Sequence, residues 1–217
     1  MENVGRPSTD WEVREQLRQA RLFASGILSM RGNDEFRAIT DAVATLMAVP
    51  MAAISVLDRD RQWFPSAVGL DMTETARAIA VYGDVAALPA AGYHVADLGG
   101  DPVTAANAMV SGSPFMRSVF AVPIETADGT RLGALCAIDV VPRTSPSVEQ
   151  RAAMAALAKR VVDEVELPEN FFAYAEVAIE RIVDQIRTAA RRDQEPLLLD
   201  LDRILRQVEQ RIESAAR

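Results

Sequence analysis

Few side chains in this sequence have a type and a setting suited to chemistry. Cys136 is the only cysteine, and it lies inside Leu132-Gly-Ala-Leu-Cys-Ala-Ile-Asp139. A thiol there could serve as a nucleophile or an attachment point, but both uses need the thiolate. A nearly continuous apolar strand raises the thiol pKa, so Cys136 reads as an inert core residue. His94 is the only histidine. As a haem ligand or general base it lacks a second ligand or an orienting acid. Asp97, three residues on, falls on the opposite face of a strand. His94 therefore reads as structural or superficial. Asp58 and Asp60 flank a turn and offer too few oxygens to hold a cation. No P-loop, dinucleotide fingerprint, serine-nucleophile motif or Cys/His metal spacing is present. The expected catalytic set is empty, and no cofactor or metal is expected.

A second group of residues suits binding. Asp97, Asp101 and Asn107 lie along a polar stretch and can meet a polar ligand, although Asp101 can equally cap the turn that follows it. Arg117 precedes a strong strand and has two readings, as a contact to an anionic ligand or as a partner of Asp139. Trp63, Phe64, Tyr82 and Phe120 stand beside strands, where aromatic residues either line a cavity or form plain core. These eight residues make up the candidate ligand-binding set.

The elements that would position them follow from patterning. The chain has 217 residues, about half of them hydrophobic and a quarter charged. That suits one α/β domain with an extension. The net charge of −8 leaves no basic footprint for phosphates, so nucleic-acid binding is not expected. A single cysteine fits a reducing compartment. No apolar run approaches the roughly 20 residues of a membrane span. The expected setting is cytoplasmic, with no membrane contact.

Val13, Leu17, Ala20, Ala24 and Ile27 recur at helical period and predict a first helix. Asn33 or Asp34 caps a second helix through about Ala48, with Phe36, Ile39, Val43 and Leu46 on its buried face. Met51–Asp58 reads as a strand, Asp58–Arg61 as a turn, and Gln62-Trp63-Phe64 as the returning strand. From Asp71 to Pro89 there is no clean period, and a loop with short helical pieces is expected. Tyr93–Leu98 reads as a strand and Thr104–Val110 as a short helix. Ser118–Glu125 and Arg131–Val140 are strong strands joined at Ala127–Thr130, where Gly129 accepts the turn's positive φ. Ser145 or Ser147 caps a helix to about Glu166, with Met154, Leu157, Val161 and Val165 on one face. Pro168 breaks the chain, helix resumes from about Glu169 to Arg191, and Pro196 marks a helix–helix turn. The last segment carries Leu198, Leu201, Leu205, Val208 and Ile212 at steps of three and four.

In sum this is an α+β pattern, an antiparallel sheet with helices packed on it. Residues 21–167 resemble a GAF domain of the bacterial sensory type. The resemblance rests on Val49-Pro-Met-Ala-Ala-Ile-Ser-Val-Leu-Asp58, Arg61-Gln-Trp-Phe64 with Gly69-Leu70, and Met116-Arg117 leading into Val122-Pro123-Ile124. Asp128-Gly129, Leu132–Asp139 and Pro142-Arg143 complete it. It implies a GAF/PAS-like fold whose pocket lies on one face of the sheet, walled by the crossover from about Ala76 to Val110. The chain departs from many relatives there. Val81-Tyr82-Gly83-Asp84 replaces a Phe-Cys-(Ala)-His-like run, and Asp101-Pro102-Val103-Thr104 lacks the Arg and aromatic of Asp-x-Arg-Phe. The signature of cyclic-nucleotide-binding relatives is also missing. Relatives that reduce free methionine sulfoxide use several cysteines, so that enzyme is a remote alternative.

The expected organisation is an N-terminal helix over 1–30, the GAF domain over 21–167 and a C-terminal helical hairpin over 168–217. Apolar seams need a partner, because one helix cannot bury a stripe alone. Homodimerisation is expected through Val13, Leu17, Ala20, Ala24 and Ile27 together with Met154, Leu157, Val161 and Val165. A protein partner is expected on the C-terminal helices, near Phe171-Phe172. The expected function is a non-enzymatic regulatory module that signals through protein contact, the alternative being a sensor with an occupied small-molecule pocket.

Overall fold

The structure is a computed structural model that describes residues 9–82, 84–167, 176, 179–180, 182–187 and 194–215. It does not describe the side chains of residues 9, 10, 12, 13 and 210–215. Six strands form one antiparallel sheet: β1 (Met51–Leu57), β2 (Arg61–Val68), β3 (Glu74–Ala76), β4 (Tyr93–Val95), β5 (Ser118–Glu125) and β6 (Arg131–Asp139). Their spatial order is β3-β2-β1-β6-β5-β4. Two local hairpins, β1–β2 and β5–β6, meet at the centre where β1 pairs with β6, Ala53 opposite Cys136. Gly129 adopts a φ of 82° in the β5–β6 turn, a conformation open to glycine at little cost.

The helices whose bounds fall among the described residues are α1 (Thr9–Ala24), α2 (Asp34–Met47), α3 (Ala108–Ser111), α4 (Val148–Val165) and α5 (Gln194–Ala215). Asn33 caps α2 by accepting from Phe36 N at 3.0 Å. Ser147 and Gln150 form a reciprocal capping box that starts α4. The first helix stops at Ala24, short of the sequence expectation. Gly26 turns left-handed at φ 72°, and Ile27 falls in a separate 3-10 turn. Pro196 does not break a helix. It lies in the first turn of α5, where its missing N–H has no intrahelical partner to lose.

Strand alternation divides the core in two. Ala52, Ile54, Val56, Phe120, Val122, Leu135 and Ala137 face α2 and α4, together with Phe36, Ile39, Val43, Met154 and Val161. The opposite face carries Met51, Leu57, Val119, Ala121, Ala134, Cys136 and Ile138. It is covered by the crossover residues Tyr82, Val85, Leu88, Leu98, Met109 and Met116. Full burial of one such large apolar side chain contributes roughly 1.5–3 kcal/mol.

α1 is fastened to the end of the sheet by polar contacts. Arg18, nearly fully buried, donates to the Leu57 carbonyl at 2.6 Å and to the Leu132 carbonyl at 3.3 Å. Glu15 accepts from Arg18 at 2.7 Å and pairs with Arg77 of the crossover at 2.7 Å. Burial alone pushes the Glu15 carboxyl up, but the hydrogen bonds from Arg18 and Arg77 outweigh it and hold the pKa at about 2. In α5, Leu197 and Ile204 are buried and Leu201 and Val208 partly so. Arg59 is ion-paired to Asp200.

Candidate functional site

The crossover face is where a ligand pocket is expected. Ala53 and Ser55 of β1, Gln62 and Phe64 of β2, and Cys136 and Ile138 of β6 form its floor. Tyr82, Met109 and Met116 close over them. The cavity left between floor and cover measures about 10 Å³, room for about one water molecule. Its polar groups satisfy one another. Tyr82 Oη is hydrogen-bonded to Ser55 Oγ. Gln62 Nε2 donates to Ser55 Oγ at 2.7 Å and to Tyr82 Oη at 3.3 Å, and Gln62 Oε1 accepts from Thr75 at 3.1 Å. Burial pushes the Tyr82 phenol well above its ordinary pKa. Burial likewise pushes the Cys136 thiol up to about 12, far from thiolate chemistry at neutral pH.

The cover is tied down at its margins. Asn107 Nδ2 donates to the Ile79 carbonyl at 2.9 Å. Arg77 donates to the Asp58 carbonyl at 2.9 Å, and Arg131 to the Ala86 carbonyl at 2.8 Å. Trp11 Nε1 on α1 reaches Asp84 at 3.4 Å.

Of the eight candidate binding residues, only Phe64 and Tyr82 line this cavity. Trp63 and Phe120 point to the helical face instead. Adjacent strand residues face opposite ways, so Trp63 and Phe64 cannot line one cavity. Arg117 does not pair with the Asp139 side chain. Its guanidinium grips Asp97 with two bonds of 2.9 Å, and these hold the Asp97 carboxyl below its ordinary pKa. Asp139 is taken instead by Arg143, at 2.6 Å from Nε. Asp101 caps its own turn by accepting from Val103 N at 2.8 Å. Asn107 caps α3, accepting from Met109 N at 2.9 Å. The residues that sequence reasoning missed are Ser55, Gln62, Met109 and Met116. Ser55 had a signal, as a hydroxyl at a buried parity of an otherwise apolar strand.

The expected pairing seams are largely taken up within the chain. Ala20, Ala24, Ile27, Met154, Val161 and Val165 are buried in its own core, and Leu157 is partly buried against it. Leu17 is 52% exposed. The side chains of Val13 and Ile212, and residues Phe171, Phe172 and Val177, lie outside the described residues. In α5 the expected seam holds at Leu201 and Val208, which pack partly buried against the core, but Leu198 and Leu205 are 52% and 45% exposed, and Leu197 and Ile204 are buried in their place.

Two other concavities are prominent. A groove of about 600 Å³ runs between α1, α5 and the β1–β2 turn, past Trp11, Gln19, Arg59 and Leu199. On the helical face, a cavity of about 150 Å³ lies between β4, β5 and the start of α4. His94 lines it, opposite Phe120 in the β4–β5 pairing.

Among the described residues, no helix is long and apolar enough to cross a membrane. None of the described His, Cys, Asp and Glu residues cluster in a way that could hold a metal ion.

Comparison with known proteins accounts for this architecture. The GAF domain family model matches residues 32–165. A cyclic di-GMP phosphodiesterase of Pseudomonas aeruginosa is 37% identical over 142 residues, which cover 64% of this chain and 24% of that protein. The chain thus spans about a quarter of the curated relative it matches. Among solved structures, the blue-light-absorbing form of the Thermosynechococcus elongatus PixJ GAF domain superposes with a TM-score of 0.50 at 14% identity. That match covers 72% of this chain and 93% of the PixJ domain. The GAF domain of an Acinetobacter phosphoenolpyruvate-protein phosphotransferase gives 0.47 at 16% identity, covering 70% and 92%.

Proposed function

The chain belongs to the GAF domain family, and we propose that it is a regulatory module that acts through protein contacts, its crossover cavity serving as core. The observation that carries this reading is the closed space of about 10 Å³ under Tyr82, Met109 and Met116. A drug-sized or nucleotide ligand needs several hundred Å³. The Tyr82–Ser55–Gln62 hydrogen bonds would have to break to admit one, at a cost no ligand contact yet offsets. Catalysis is not part of the proposal, because the buried Cys136 thiol has its pKa pushed up to about 12.

The Pseudomonas relative suggests a setting. The shared region is a quarter of that protein, so we read it as a regulatory portion and assign the phosphodiesterase activity of that protein to the remainder. The present chain would regulate an enzyme or signalling protein by docking. The surface for a second copy of the chain is the outer stripe of α5, where Leu198 and Leu205 sit seven residues apart and half exposed. Heptad spacing suits helix pairing.

Two measurements test this. Native mass spectrometry of the purified protein should show no retained small molecule. A retained mass that is lost in Ala53→Leu, which fills the crossover cavity, would place a ligand there and end the proposal. Light scattering should show a dimer that Leu198→Glu with Leu205→Glu converts to a folded monomer. A wild-type monomer at high micromolar concentration would remove the pairing claim.

A further inference from the structure

The outer face of α5 carries more than its exposed leucines. Glu195, Leu198, Asp202, Leu205 and Glu209 follow one another at steps of three, four, three and four, and all of them are exposed. The inner face of the same helix lays Leu197, Leu201, Ile204 and Val208 against the core. The helix therefore has two stripes back to back. The inner one is used within the chain, and the outer one stays open to solvent.

In a heptad with positions a to g, Leu198 and Leu205 take d, and the acids take every a. Leu199 and Arg206, both exposed, take the flanking e positions. Arg206 offsets part of the acidic charge. It is ion-paired to Asp202, and Glu209 adds to the field that raises its pKa. Three carboxylates against one guanidinium leave the stripe acidic. The whole chain, with a net charge of −8, adds a long-range field of the same sign.

That alternation selects the occupant. A second copy of the chain suits the leucines but not the acids. Paired in parallel, each a carboxylate meets its own twin, and like charges repel. Paired antiparallel, each a carboxylate is laid beside a leucine of the other helix, and a carboxylate taken out of water without a partner is costly. A helix with leucine at d and lysine or arginine at a removes both costs. Its long aliphatic stems pack beside the leucines while the charged heads reach the facing carboxylates.

We propose, resting on the docking role of α5, that its outer stripe takes a basic amphipathic helix of another protein, with leucine at d and lysine or arginine at a. The second copy of the chain is the weaker occupant of the same stripe. Partner binding then exchanges a homodimer for a heterodimer.

Peptides of three heptads, titrated with the full chain and followed by fluorescence anisotropy, test this. The first has leucine at d, lysine at a and alanine at f. The second is its isomer, with the lysines at f and the alanines at a. The third has glutamate at a. The first should bind with a dissociation constant on the order of 10 μM at about 0.15 M salt. The isomer has the same net charge, and it and the glutamate peptide should each bind at least about tenfold more weakly. Glu195→Lys with Asp202→Lys and Glu209→Lys should reverse the preference between the lysine and glutamate peptides. Equal binding of the lysine peptide and its isomer overturns the proposal, because a diffuse acidic field then suffices. A preference that the triple variant fails to reverse overturns it too. So does the absence of saturable binding, although a dimer in light scattering beside that result keeps the docking role of α5. Lysine-peptide binding that survives Leu198→Ser with Leu205→Ser places the docking surface elsewhere and removes both readings.

Discussion

The two faces of the sheet solve one problem differently. On the helical face, α2 and α4 lay regular stripes of Phe36, Ile39, Val43, Met154 and Val161 over β1, β5 and β6. The spacing of a helix leaves a gap at its end, and the 150 Å³ cavity beside His94 opens where α4 begins. On the crossover face the cover is irregular chain, yet it closes to about 10 Å³. Irregular chain can follow the floor residue by residue, and unbranched methionine side chains fill what remains. Regular cover gives rigidity with defects at its edges, and irregular cover gives closure that depends on flexible side chains.

That contrast can be broken by substitution. Phe36→Ala on the helical face should cost about 4 kcal/mol, and Met116→Ala on the crossover face only about 2 kcal/mol, because the second site can collapse. Urea unfolding of both variants checks this, and equal losses would show the two covers to be equally stiff. Glu15 joins the faces, since it sits on α1 and holds Arg77 of the crossover. Glu15→Gln should destabilise by about 2 kcal/mol at pH 7. The folded-state pKa of Glu15 is depressed to about 2 from 4.5. Its contribution is therefore complete above pH 4.5 and is lost as the pH falls through about 2. The wild-type urea midpoint should drop across that window more steeply than that of Glu15→Gln. Tyr82→Phe should cost about 1 kcal/mol, since Gln62 still donates to Ser55. Its thermal midpoint separates a polar cluster that only fills space from one that fixes the cover. The smallest effect belongs to Arg117→Ala at the exposed Asp97 pair, where the thermal midpoint should stay within about 1 °C.

Much of this arrangement was legible in the chain. Gly129 and the nearly continuous apolar runs on either side of it announce the β5–β6 hairpin, and Asn33 and Ser147 mark two helix starts, because these are local signals. The pairing Ser118–Glu125 with Arg131–Asp139 needs nothing remote. In the crossover the short helical pieces and the strand from Tyr93 were legible, but the strand Glu74–Ala76 was not, because it forms only by pairing with Arg61–Trp63. The candidate site failed for a related reason. Trp63 and Phe120 were grouped with Phe64 by residue type, although strand parity already separates Trp63 from Phe64. The seam on α1 was real, but periodicity names a buried stripe without naming what buries it. Ala20 and Ala24 face the chain's own core. In α5 the choice between Leu198 and Leu197 as the inner residue depends on the rotation of the helix against α1, and several leucines in a row leave that open.

The meeting of β1 with β6 at the middle of the sheet bears on how fast the molecule assembles. Each hairpin closes a short loop, but the Ala53–Cys136 register joins halves separated by the whole crossover. Loop-closure entropy makes that joining the slow event. Substitutions along β1 and β6 should therefore retard refolding in stopped-flow experiments, whereas those in α5 should mainly accelerate unfolding. The centre of the sheet is then the kinetic seam of the protein as well as its most deeply buried part.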